Sequence, residues 1–112
     1  MRSASHQAPA ARAVGLHQAG KLDAAVDAYR AILKRHPDTC ACWSNLGVAL
    51  RMLGRKDEGL QVLREGVRLC PRSPELNYNL GNALKETGDR EGALKHYRAA
   101  WTLNSPWQKA SG

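Results

Sequence analysis

The stretch Trp43-Ser44-Asn45-Leu46-Gly47-Val48-Ala49-Leu50 decides the fold. Trp43, Leu46, Gly47 and Leu50 fall three or four residues apart, so they share one face of a helix. A glycine among large apolar residues marks a face that a second helix can approach closely. The surroundings of this stretch return at a fixed step. Gly20, Gly54 and Gly88 are 34 residues apart, and so are Leu16, Leu50 and Leu84, and Arg30, Arg64 and Arg98. Pro37 and Pro71 keep the step, while Pro106 misses it by one. Tyr29, Leu63 and Tyr97 hold one large register, and Ala25, Gly59 and Ala93 one small register. Six coincident series establish an internal repeat.

Each period carries two helical stripes separated by a glycine. Leu60, Leu63 and Val67, with Gly59 and Gly66, form the second stripe of the middle unit, which ends at Cys70-Pro71. Gly54 stands where a left-handed residue closes the first helix. Ser73-Pro74-Glu75 opens the next unit with a cap residue, a proline and an early acid. The pattern predicts helices over 8–19, 22–35, 41–53, 56–69, 75–87 and 90–103. The expected fold is all-α, a solenoid of three antiparallel helix pairs in units of about 6–39, 40–73 and 74–107, with flexible ends at 1–5 and 108–112.

Composition alone points elsewhere. Leu, Ile, Val and Phe number 20 of 112 residues, and the net charge is +7, a pairing typical of disordered chains. The period outweighs that pairing, because the 17 alanines and the glycines count as packing residues between close helices. Only nine residues are Val, Ile or Thr, which excludes an all-β fold. No apolar run approaches the length of a membrane-spanning helix, and Met1 to Arg12 lack a signal peptide's apolar stretch. Three cysteines, an odd number, suggest no disulfide framework and favour a reducing, cytoplasmic setting. Cys40-x-Cys42 with Cys70 and His36 lacks zinc-ligand spacing, so these cysteines read as inert thiols near unit boundaries. No metal, cofactor or catalytic set is expected.

Trp43-x-x-Leu46-Gly47-x-x-Leu50, followed by Gly54, Gly59, Leu63 and Pro71, resembles the tetratricopeptide repeat. The third unit matches with Leu80-Gly81, Leu84, Gly88, Ala93, Tyr97 and Ala100; the first is degenerate in its opening helix. The resemblance covers nearly the whole chain. It implies a right-handed superhelix whose first helices line an inner groove for extended peptides. Asn45 and Asn79 point the same way from successive units, and the pair is similar to the asparagine ladder of O-linked N-acetylglucosamine transferase arrays. An amide donates and accepts, so it can pair with any peptide backbone. Asn82 extends this surface by one turn, and Ala11 leaves the first unit without a rung.

His17, Arg51 and Lys85, again 34 residues apart, would form a basic edge of the groove beside Val14, Val48 and Met52. Such an edge suits an acidic peptide or partner. Of the carboxylate-clamp pattern of chaperone-binding repeats, only Asn45 is present, with Ala10, Val14, Glu75 and Asn79 at its other places. Nucleic acid is a weak candidate partner: the basic residues are scattered, and no stacking aromatics accompany them. Leu94, Tyr97 and Trp101 make a candidate interface on the last helix, open to homo-oligomerisation, to further repeats or to a local lid from Trp107. The expected function is a non-catalytic protein-interaction module. The alternatives are a substrate-docking segment of a larger glycosyltransferase-like enzyme and self-assembly through the last helix.

Overall fold

The structure, a computed structural model, describes residues 7–104. They form α1 (Gln7–Gln18), α2 (Leu22–Arg35), α3 (Cys40–Met52), α4 (Lys56–Leu69), α5 (Pro74–Glu86) and α6 (Arg90–Leu103). These bounds agree with the expected ones to within one residue. The expected tails at 1–5 and 108–112, and Trp107, lie outside the described residues. Among the described residues no helix is long and apolar enough to cross a membrane.

The turn inside each pair is the same structure made three times. Gly20, Gly54 and Gly88 have φ of 82°, 83° and 91°, where a side chain would be strained. The left-handed residue lets the next amide turn back: Lys21, Arg55 and Asp89 donate to Leu16, Leu50 and Leu84 carbonyls. Ser73 accepts from the Leu76 amide and Asp89 from the Gly92 amide, capping α5 and α6.

Close helix contact rests on the small register. A methyl group at Gly47 would collide with the Leu63 side chain, and one at Gly81 would lie 2.8 Å from the Tyr97 ring. Leu46, Leu50 and Leu63 are fully buried around this contact, each contributing about 2 kcal/mol of apolar burial. The units then join in series. Cys42, Leu46 and Ala49 of α3 share a core with Val26, Tyr29 and Ile32 of α2. Leu76, Leu80 and Ala83 of α5 share one with Leu63 of α4.

The start of each later unit is tied to the preceding proline by a side-chain donor. Trp43 Nε1 donates to the Pro37 carbonyl at 2.7 Å. One period later Asn77 Nδ2 donates to the Pro71 carbonyl at 3.1 Å. Indole and amide do the same task, since both present an N–H to a carbonyl just past the end of the preceding helix. Trp43 is half-buried and also packs on both apolar clusters.

The cysteine expectation fails at one pair. Cys40 and Cys70 form a disulfide, with Cα atoms 6.1 Å apart, and Cys42 alone is a free thiol, buried. An odd count hides a bridge because the third cysteine goes into the core. The antiparallel return of α4 brings residue 70 back beside residue 40, a proximity that spacing along the chain does not show. The bridge removes the cysteine count as a reason to expect a reducing compartment.

Candidate functional site

The first helices α1, α3 and α5 touch in series, whereas the backbones of the second helices stay apart among the described residues. The array therefore curves toward its first helices, and their outward residues line its inner face.

On that face a cleft of 340 Å³ opens between α1 and α3. Ala10, Ala11, Val14 and Gly15 form one wall, Ala41, Cys42 and Asn45 the other, and Tyr29 reaches it from α2. Gln18 and Thr39 complete the lining, so among the described residues no charged side chain takes part. Tyr29 is fully buried, and its pKa is pushed up to about 12 by burial first and then by the neighbouring Cys42. Burial also raises the Cys42 thiol, which keeps it protonated and weakly reactive. Asn45 is half-buried at the cleft, and among the described residues its amide has no hydrogen-bond partner.

The other groove residues expected from sequence are differently placed. Asn79 donates to Ser44 Oγ at 2.6 Å, tying α5 to α3. Asn82 accepts from the Tyr97 hydroxyl at 2.5 Å, tying α5 to α6. His17 Nδ1 lies 3.1 Å from the Tyr29 hydroxyl, in hydrogen-bond contact. Arg51 forms a two-pronged pair with Glu86, with both contacts at 3.0 Å. The Arg51 guanidinium holds the Glu86 carboxyl below the usual carboxylate range. Lys85 and Met52 are exposed and Val48 is half-buried, so the basic edge is largely spent on internal pairs. At the last helix Leu94 and Trp101 are exposed, while Tyr97 is half-buried against Gly81.

Sequence reasoning missed Ser44, Glu86 and the Tyr29–Cys42 floor of the cleft. Two of these carried a signal: Ser44 and Glu86 each stand 35 residues from the partner they meet, one period plus one. The outer arginines likewise find acids, Arg30 and Arg55 sharing Glu58 and Arg68 pairing with Glu65.

Stacked antiparallel pairs with a cleft on the inner face define a helical-repeat protein-interaction module. A sequence profile of the tetratricopeptide repeat matches residues 10–74, and a second matches residues 74–105. The chain belongs to the tetratricopeptide repeat family. It is 28% identical over 82 residues to the peroxisomal targeting signal receptor of Eremothecium gossypii, a match covering 73% of this chain and 14% of that receptor. The chain thus spans about a seventh of the curated relatives it matches. Its fold is that of PcrH in complex with the chaperone binding region of PopD, with a TM-score of 0.83, 21% identity, and 98% and 84% of the two chains covered. The Yersinia enterocolitica chaperone SycD, solved with a peptide of the translocator YopD, matches with a TM-score of 0.81 and 19% identity, covering 94% and 82%.

Proposed function

We propose that the chain binds an extended peptide, or an extended segment of a partner protein, in the cleft between α1 and α3. Asn45 pairs with the ligand's main chain, and the walls of Ala10, Ala11, Val14 and Cys42 hold one apolar side chain. The observation that carries this proposal is the Asn45 amide, without a partner among the described residues, beside an apolar cleft, where the matching Asn79 is already bonded. PcrH and SycD, which share the fold and were solved with partner segments, support a peptide ligand. The role is binding, with no chemistry at the site. Because Glu86 neutralises Arg51, attraction to acidic ligands falls to Lys85, and the salt dependence of binding is expected to be weak.

The Asn45–Asn79 pair also favours a second reading, a docking segment of a larger glycosyltransferase-like enzyme. Only one amide of that pair is available, which supports the simpler binding module. The test uses peptides selected from a displayed library against the folded chain. Asn45→Ala is expected to weaken them roughly fivefold, the worth of about one hydrogen bond, with helicity retained. Unchanged affinity would sink the assignment of the cleft.

A further inference from the structure

From α2 to α6, the start of α3 is the least secured by its own residues. Each of α2, α4, α5 and α6 carries an acid in its first turn, and Ser73 and Asp89 also cap α5 and α6. At α3 the first turn holds no acid, and Thr39 makes no capping bond. The hydrogen bonds of this segment, Thr39 amide to His36, Cys42 amide to Thr39 and Trp43 indole to Pro37, stay within residues 36–43. Apart from the packing of Cys42 and Trp43, what fastens the start is the bridge from Cys40, its first residue, to Cys70 at the end of α4. The far end of the bridge is held independently. The Cys70 carbonyl accepts from the Ser73 amide, the Pro71 carbonyl accepts from Asn77, and Asn77 is bonded in turn to His96 of α6. Opening the bridge therefore loosens Cys40 rather than Cys70. Thr39 and Ala41, on either side of Cys40, line the inner cleft together with Cys42 and Asn45. The covalent tie thus fixes one wall of that cleft.

We infer that the Cys40–Cys70 bridge is a redox switch of the cleft: oxidised, it holds the α3 wall in its binding shape, and reduced, it lets the first turn of α3 fray. The inference rests on the cleft being the peptide site. Both bridge cysteines are half-buried, within reach of a small-molecule thiol, which supplies the electrons. One thiolate attacks a bridge sulfur, forming a mixed disulfide and releasing the other cysteine as a thiolate, which takes up a proton. A second thiolate attacks the mixed disulfide, leaving two cysteine thiols and one small-molecule disulfide. Cys42 takes no part, because it is buried and stays protonated. A ligand meeting the reduced chain must first re-order the wall, so it binds more weakly.

The test compares the oxidised chain with the chain reduced by excess dithiothreitol, below the melting temperature of both. The probe is a peptide selected from a displayed library against the oxidised form. Reduction should weaken it roughly tenfold, the cost of re-ordering about one residue of the wall. Cys40→Ser with Cys70→Ser should bind like the reduced chain and ignore the reductant. Hydrogen exchange without peptide should speed up on reduction at the amides of residues 42–44 and stay unchanged at Leu76 and Asn77. Equal affinity of the two forms overturns the proposal, as does exchange at 42–44 that reduction leaves unaltered. A reduced chain that loses its helices by circular dichroism overturns it too, because the bridge would then be structural only. Asn45→Ala tells the failures apart. Binding weakened by Asn45→Ala but not by reduction removes the switch alone, whereas binding weakened by neither removes the cleft assignment as well.

Discussion

Asn45 and Asn79 occupy the same place in successive repeats, yet their amides meet different surroundings. At the junction of α3 with α5, Asn79 finds Ser44, and a second bond between Arg51 and Glu86 crosses the same junction. At the junction of α1 with α3, the position facing Asn45 one period earlier is Ala10, which offers no acceptor. The two first-helix pairs differ accordingly: α3 runs close along α5, whereas α1 stands off from α3 and leaves the cleft. The second unit is also braced covalently by Cys40–Cys70; the places one period earlier are His6 and His36. One repeat chemistry therefore yields a closed junction and an open one, and the asparagine is bonded at the junction where an acceptor stands opposite it.

The largest expected effect comes from removing the covalent brace. A bridge spanning 30 residues restricts the unfolded chain by about 3.6 kcal/mol. Reduction, or Cys40→Ser with Cys70→Ser, should lower the melting temperature by roughly 15 °C. Melting curves with and without reductant measure this. An unchanged midpoint would show that the closed junction needs no brace, and alkylation of the unfolded, unreduced chain should label Cys42 alone.

A smaller effect would come from exchanging the two junctions. Ser44→Ala leaves Asn79 without its acceptor and should cost about 1 kcal/mol in denaturant unfolding. Ala10→Ser should give Asn45 the partner it lacks. That variant is expected to gain a little stability while losing several-fold in peptide affinity, as titration of a library-selected peptide would show. If Ala10→Ser binds as tightly as the parent chain, the availability of Asn45 is not what opens the first junction to ligand.

The smallest effect concerns acid. His96 Nδ1 donates to Asn77 Oδ1 across 2.9 Å, and Asn77 is the buried residue that ties α5 to Pro71. Burial, then Lys95 and Arg64, hold the His96 imidazole below its ordinary value of 6.5, with Asp89 opposing. The unfolded chain then takes up this proton more readily than the folded one. Stability is complete above pH 6.5 and declines as the pH falls from there through the folded value. Thermal melts should show this decline in the parent chain and a flatter profile in His96→Gln.

The helices were legible because their causes are local or periodic. Glycine at a left-handed turn, serine and aspartate at helix starts, and small residues opposite large ones each act within a few residues or at a 34-residue step. The candidate groove was only half legible. The period showed that Asn45 and Asn79 point alike, but it could not show that Asn79 is occupied. That depends on the offset of α5 along α3, which pairs residues one period plus one apart. The same offset turned Arg51 from an edge cation into half of an ion pair.

The sequence alone determined the all-α repeat, its three units and the residues that hold each helix pair together. Those features follow from hydrophobic spacing and backbone sterics, which the chain carries wherever it goes. Only the tertiary structure decided which polar groups remain for a partner, that Cys40 and Cys70 meet, and that Asn79, Asn82 and Arg51 are taken up by internal bonds. Each of these depends on how far one helix slides against another, and that is set by the summed packing of whole units rather than by any single residue.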